Sequence, residues 1–559
     1  MHLRKTGKKV TGCWRVTYLS TIFESPTDMN SSFLIRIMCL SFLFLIVTVN
    51  SDAQSPPKDW YLLDPAASGF YGVSCNKAYD ELLKGRTAQP VIVAVIDLGA
   101  DVSHEDLKAN LWTNAKEVPG NGIDDDGNGY ADDLHGWNFI GGKNGNVQYD
   151  TFEITRLYKM LSDKYGNKSL EDIPAAERDE YNRYLDIQKN YNRLAREPRY
   201  NYEFYNGLRR SIASMLQVMG MENPTLEQVE AYQPAGDSLL IVQQVLIGIL
   251  KEGGSVEDVM NNLKDEVNDL ATDALYHYNP DFNPRSIVGD NYEDAMERYY
   301  GNPDVACLNT LHGTHVAGII GADRTNGTGI NGIADAAKLM ILRAVPDGDE
   351  RDKDVANSIR YAADNGAKVI NMSFGKAYSY DKKAVDDAVK YAISKDVLLI
   401  HAAGNDAVNN DKVPHYPSNQ FLDGTSSSSW IEVGASSYDN NVASFSNYGR
   451  KVVDLFAPGV AIYSTAPGNK YRNLQGTSMA APVAAGVATL LRSYFPELTA
   501  PQVKAIMMKS VVKMPEKVEL PAKAEKTKMI KLKKLCVSGG VVNAYYAVQL
   551  ALKETAKQP

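Results

Sequence analysis

Asp97, His312 and Ser478 are the residues with which this chain could do covalent chemistry. Asp97 follows the β-branched run Val91–Ile96, so it is an acid at the carboxyl end of a buried parallel strand, where open α/β sheets form their sites. His312 opens HGTHVAG, a helix start of small residues, and Ser478 sits in GTSMAAP ahead of the helical run from Val483 to Tyr494. A serine hydroxyl needs a base to take its proton. An imidazole can do so near neutral pH, and a carboxylate can orient the ring and stabilise its charged form. Each residue alone has a plainer reading: many strands end in Asp, and a Ser at a helix N-terminus is a cap. His312 and His315 could suggest a metal. However, zinc helices favour an i, i+4 pair enclosing a Glu, whereas here the separation is three, with Gly and Thr between.

These residues need strands and helices to bring them together. Apolar runs recur at Leu339–Leu342, Lys368–Met372, Val397–His401 and Ile431–Gly434, with helical patterns at Asp354–Asn365 and Lys383–Ser394 between several of them. That alternation predicts an α/β fold with a parallel sheet. A helical block from about Asp150 interrupts it. The capping patterns Thr225-x-x-Gln228 and Ser255-x-x-Asp258 mark helix starts there. Ile241, Val245, Leu246 and Ile249 are expected on one buried helical face, and Tyr181, Tyr184, Tyr191, Tyr200, Tyr202 and Tyr205 are expected as core contacts of a bundle.

Taken together, VAVIDLG, HGTHVAG and GTSMAAP resemble the three signature motifs of the subtilisin-like serine peptidases, in that family's Asp–His–Ser order. The resemblance covers about Val91–Asn138 and Ile287–Ala551. It implies a three-layer fold around a parallel sheet, interrupted by a mostly helical insertion. It implies a secreted serine endopeptidase acting on protein or peptide substrates through an acyl-enzyme. An inactive binding-only homologue and a processing transpeptidase are the alternatives. Asn405, in AAGN, takes the place of the side-chain oxyanion donor beside the Ser478 amide. Ser373, Phe374 and Gly375 resemble the strand that pairs with substrate, and Gly404 and Asp406 flank the primary pocket. The acidic stretch Asp347–Asp354 resembles the non-primed edge of the cleft. With Asp406, it would favour Lys or Arg in a substrate, unless its charges are paired internally.

The segment Asn121–Asp133 points to calcium. Asp124, Asp126 and Asn128 alternate ahead of Gly129, as a calcium loop begins, with Tyr130 and Asp132 or Asp133 available as further oxygen donors. His135 stands where an EF-hand carries its bidentate Glu, so the loop is not a complete EF-hand. The family resemblance adds a second calcium set: Asp106, Asn326 and the carbonyls of Arg324, Thr328 and Ile330. No organic cofactor is expected.

Composition bounds the rest. Lys and Arg total 59 against 68 Asp and Glu, a net charge of −9, which argues against nucleic acid as a partner. The proportions, 44% hydrophobic and 23% charged, exclude disordered, collagen-like and polytopic membrane classes. The thirteen uncharged residues Ile37–Val49, after Arg36 and before Ser51 and Ala53, read as the apolar core of a secretory signal. They are shorter than the roughly 20 residues a span needs. Translation is expected to start at Met29 and cleavage to follow Ala53, removing Cys13 and Cys39. Cys75, Cys307 and Cys536 remain, too scattered for a disulfide framework. The expected organisation is therefore 1–53 extension and signal peptide, 54–90 N-terminal segment, 91–149 and 287–559 peptidase parts, and 150–286 helical insertion.

Overall fold

A computed structural model describes residues 55–514, 517–522 and 528–556. Met29, the Ile37–Val49 run, the Ala53 cleavage site, Cys13 and Cys39 lie outside them. Seven parallel strands form the central sheet: β1 (Val91–Asp97), β2 (Gly136–Asn138), β3 (Ala337–Arg343), β4 (Val369–Met372), β5 (Leu398–Ala402), β6 (Trp430–Ser436) and β7 (Leu455–Pro458). Their order is β2-β3-β1-β4-β5-β6-β7. The strands are mostly apolar, as both faces of the sheet are covered. Val93, Val95, Leu339 and Ile341 join one core, whereas the alternating Ala94, Ile96, Met340 and Leu342 join the other. Helices α1 (Leu311–Gly321) and α4 (Thr477–Tyr494) build the first core; α2 (Asp352–Asp364) and α3 (Lys382–Ser394) build the second. The result is the three-layer arrangement expected from the sequence.

Strand order turns back at β1, which pairs with β3 on one side and β4 on the other. That is where a doubly wound sheet opens a crevice beyond its carboxyl ends. Register fixes what lines it. Ile96 lies beside Met372, and Met372 beside His401. So Asp97, Ser373 and the Ala402–Asn405 turn leave the sheet along one edge.

The block after Asp150 is helical, with Glu153–Tyr165, Arg178–Met219, Leu226–Ala231, Asp237–Lys251 and Val256–Thr272. One cluster at its root buries Ile154, Leu157, Leu161, Tyr165, Tyr181, Tyr184 and Tyr191, with Tyr378 and Tyr380 of the peptidase body packed against it. A second, further along the 42-residue helix, buries Ile212, Met215, Val242, Leu246 and Val256. Two sequence expectations fail here. Ile241 is 55% exposed, since Val242 and Leu246 define the buried face. Tyr200 is 57% exposed, and neither it nor Tyr202 belongs to either cluster. Thr225 and Gln228 close a reciprocal capping box. At Ser255 the shorter Asp258 takes the Ser255 hydroxyl proton, and only the Asp258 N–H reaches back to Ser255.

The N-terminal segment packs into the first core rather than standing apart: Trp60, Tyr61, Leu62, Val73 and Cys75 are buried in it. Among the described residues Cys75, Cys307 and Cys536 are free thiols. No single helix among them is long and apolar enough to cross a membrane.

Candidate active site

Asp97 ends β1 with 1% exposure. His312 Nδ1 lies 2.8 and 3.0 Å from its two carboxylate oxygens, and the Leu98 N–H donates to it at 2.8 Å. Gly313 makes this pairing fit. A Cβ there would stand 2.1 Å from the Gly99 carbonyl oxygen and 3.2 Å from the Asp97 Cβ, so any side chain would push α1 off the strand end. Burial opposes charge on His312, but the adjacent Asp97 carboxylate and its hydrogen bond raise the imidazole above its ordinary value. The other histidine of the motif, His315, is buried with Nε2 at 3.0 Å from the Ile462 carbonyl and 3.1 Å from that of Arg472. Burial pushes it down to about 4. It braces the hairpin of Ile462–Ala466 and Lys470–Leu474 as a neutral side chain.

Ser478 lies in the first turn of α4. Its hydroxyl donates to the Ser373 carbonyl at 3.0 Å, and Ser373 Oγ in return donates to the Ser478 carbonyl at 2.9 Å. Asn371 Nδ2 holds Ser373 Oγ at 3.0 Å. The serine is thus seated on the β4 edge, with its hydroxyl engaged by a backbone carbonyl instead of the imidazole.

Asn405 is aimed by a residue that sequence reasoning passed over. Thr477 donates both its N–H (2.9 Å) and its hydroxyl (3.0 Å) to Asn405 Oδ1, while Thr477 Oγ1 accepts the Gly404 N–H at 3.1 Å. These bonds fix the orientation of the Asn405 amide, whose Oδ1 lies 3.8 Å from the point where a Cβ on Gly476 would stand. Asn405 Nδ2 and the Ser478 amide nitrogen each lie 3.5 Å from the point where a Cβ on Gly476 would stand. Two donors therefore flank one space that glycine leaves open, the geometry an oxyanion needs. Asn447 steadies the turn, accepting the N–H groups of Asp406 and Val408 at 2.9 and 3.1 Å and donating to the Ala403 carbonyl at 2.9 Å. Asp406 itself is exposed.

The expected pocket walls, Phe374–Gly375 and Gly404, close on a side chain the sequence did not signal. A Cβ on Gly375 would lie 2.2 Å from His415 Cε1, and one on Gly404 would lie 3.0 Å from His415 Nε2. Reciprocal backbone bonds of 2.9 Å between Lys376 and Tyr416 seat His415 between the two glycines. Burial pushes its imidazole down to about 3.

The acidic stretch is not an open rim. Glu350, Asp352 and Asp354 are 2%, 3% and 0% exposed; Asp352 and Asp354 have internal partners, and burial pushes the Glu350 carboxyl up to about 8. Lys376 Nζ sits 2.8 Å from Asp352 and 2.7 Å from Glu153 of the helical block. Arg351 holds Asp150 at 2.7 Å, and Arg285 holds Asp354 at 2.6 Å. The stretch bolts the helical block to the sheet, so its charge is spent before any substrate meets it.

In the acidic loop, Glu117, Asp124 and Asp126 converge, with ligand oxygens within 4.8 Å of one another. Glu117 was not picked out by the motif because it lies ahead of it. Asn128 donates its N–H to both aspartates, at 3.0 and 3.1 Å, and Tyr130 packs its ring among Trp137, Phe139 and Tyr361. Asp132 instead accepts the N–H groups of Gly120, Asn121 and Gly122. Asp133 is buried and takes donors from Asn114, Asn128 and Tyr361. Three carboxylates suit a hard cation such as calcium. The Asp106 set does come together, but as a hydrogen-bonded turn. Asp106 accepts from Asn326 Nδ2 (2.7 Å), the Ile330 N–H (3.0 Å) and the Tyr471 hydroxyl (3.3 Å), and the Thr328 N–H donates to Asn326 Oδ1 at 2.9 Å. Asp106 thus takes three donors, as Glu117 does in the acidic loop, where the N–H groups of Asp125, Asp126 and Asp132 reach its carboxylate.

Comparison with known proteins agrees with this geometry. The model of the subtilase family, Peptidase_S8, matches residues 88–535. A thermophilic serine proteinase of Bacillus sp. (strain AK1) is 40% identical over 215 residues, 38% of this chain and 49% of that protein. Thermitase of Thermoactinomyces vulgaris is 43% identical over 183 residues, 33% of this chain and 61% of its own. An intracellular serine protease of Paenibacillus polymyxa is 35% identical over 243 residues, 42% and 70% of the two chains. The match thus spans about half of the first relative and 61% of the second. Because the family model runs from ahead of β1 to well past α4, the chain belongs to the subtilase family.

Proposed function

We propose that the protein is a serine endopeptidase whose nucleophile is Ser478. The observation that carries this reading is the convergence, at one sheet edge, of a buried Asp97–His312 pair, the Ser478 hydroxyl and two donors flanking a single space. On substrate binding the hydroxyl turns from the Ser373 carbonyl to His312 Nε2; catalytic hydrogen bonds often tighten only in the complex. His312 takes the proton as Ser478 Oγ attacks the scissile carbonyl carbon, and Asp97 holds the imidazolium formed. The oxyanion sits between Asn405 Nδ2 and the Ser478 N–H. His312 then gives its proton to the leaving amine, and water, deprotonated by the same ring, releases the acyl group. Phe374, Gly375 and Gly404 border the substrate side chain before the scissile bond. Protein or peptide chains are the substrates.

Glu117, Asp124 and Asp126 are the residues that would hold a structural Ca²⁺, which would neutralise their mutual repulsion. Secretion rests on the Ile37–Val49 run and the small residues at Ser51 and Ala53. Casein cleavage by the wild type and Ser478→Ala tests the assignment. The variant should be inactive with its fold retained, since it removes only the hydroxyl's hydrogen bond to the Ser373 carbonyl, a loss of about 0.5–1.5 kcal/mol. Wild-type cleavage by the variant would remove Ser478 from the mechanism.

A further inference from the structure

Strand register creates a second cluster beneath the pocket. His401 on β5 and Glu432 on β6 are direct neighbours in the parallel ladder. His401 Nδ1 lies 3.0 and 3.1 Å from the two Glu432 oxygens. His415 lies alongside, its ring tilted by 43° and its centre 5.3 Å from that of His401. The three side chains offer ligand atoms within 4.8 Å of one another. His401 is fully buried, yet its Nε2 has no hydrogen-bond partner; neither does the buried Nδ1 of His415. Buried polar groups are almost always satisfied, and a lost partner is costly, so two orphaned ring nitrogens side by side call for a ligand. The carboxylate is itself oriented from outside the cluster: Trp430 Nε1 donates to Glu432 Oε2 at 2.9 Å. A route in exists as well. A cavity of about 450 Å³, bordered by Pro414, His415, Glu432 and Asp454, opens from the cluster toward solvent.

We infer that His401, His415 and Glu432 bind a divalent transition-metal ion of the zinc class under the pocket floor. Two imidazoles and one carboxylate are an accepted zinc donor set, and the fourth position is left to water from the cavity. Calcium is not expected to compete, because it selects all-oxygen ligands. The ion would fix the His415 ring that separates Gly375 from Gly404, and so set the depth of the pocket.

The test uses the full chain freed of metal with a chelator, and Zn²⁺ titrated by calorimetry against a competing chelator. One tight site is expected. His415→Ala and Glu432→Gln should each weaken it more than about 100-fold, and Trp430→Phe, which removes only an outer partner, about 10–100-fold. Glu117→Gln, Cys307→Ser and His312→Ala should bind zinc as the wild type does. Absence of zinc uptake by the wild type, unchanged affinity in His415→Ala and Glu432→Gln, or loss of the site in His312→Ala would each overturn the inference. Should the ligand variants fail to fold, the wild type loaded with Co²⁺ decides. Intense tetrahedral d–d absorption without thiolate charge transfer supports the site; weak octahedral bands or thiolate charge transfer contradict it. None of these readouts needs peptidase activity, so the inference stands or falls apart from the Ser478 assignment.

Discussion

Thr477 and Asn405 meet across 72 residues of sequence, and the aim of the amide depends on that meeting. Thr477→Val keeps the backbone donor and removes the hydroxyl, so Asn405 is held by one bond instead of two. We expect kcat to fall by about fivefold, the factor corresponding to one neutral hydrogen bond of about 1 kcal/mol, with KM little changed. Asn405→Ala should cost about 10²–10³ in kcat, the range known for removing this donor in subtilisin. Steady-state kinetics on a peptide anilide separates the two. His312 must be neutral to act as base, and Asp97 raises its pKa, so the acid limb of kcat/KM should have its midpoint above about 6.5. Asp97→Asn should move the His312 titration, followed by NMR, to lower pH. The triad and Asn405 were legible because each sits inside a short motif whose chemistry is local. Thr477 stands in the same motif as Ser478, but its role exists only once α4 approaches the turn after β5. His415 and Glu117 were missed for the same reason. One is placed by a bridge to Lys376, the other by a loop closing back on it.

At the scale of elements, the parallel sheet and the helical block could be read from apolar runs and capping patterns. The faces of the inserted helices could not, because an apolar helix such as Asp237–Lys251 offers several stripes and only packing chooses one. The Asp347–Asp354 stretch reads as a charged rim until its partners, which come from four distant segments, are known. Lys376 is 1% exposed between Glu153 and Asp352. Lys376→Met leaves Glu153 to Arg156 alone and Asp352 to the Ser379 hydroxyl and the Asp381 N–H, so unfolding in urea should show a loss of up to about 3–5 kcal/mol, the cost of breaking a buried pair from one side. A loss below about 1 kcal/mol would mean the helical block is held by its apolar root alone. His277 reports on the same joint. Burial works against its charge, but a hydrogen bond to Asp273 and the Asp347 carboxylate 3.4 Å from Nε2 carry it up to about 9. Its folded pKa lies above its unfolded value near 6.5, so its contribution is fully present below pH 6.5 and is lost as pH rises through 9. The wild-type melting temperature should therefore fall more steeply across that window than that of His277→Gln.

For the whole molecule, the helical block adds little to the closure cost of bringing His312 to Asp97, since that cost grows only logarithmically with loop length. The acidic loop, by contrast, should make stability depend on a cation. Calcium at a hundredfold excess over Kd should raise stability by about 2.7 kcal/mol, and Glu117→Gln should abolish most of that gain in a thermal melt. The central claim is that one serine of this fold is an activated nucleophile. Reaction with a fluorophosphonate, followed by peptide mapping, tests it most directly. A single covalent adduct on Ser478 is expected, absent from Ser478→Ala and strongly slowed in His312→Ala. An adduct on another residue, or none on a folded protein that cleaves casein, would contradict it.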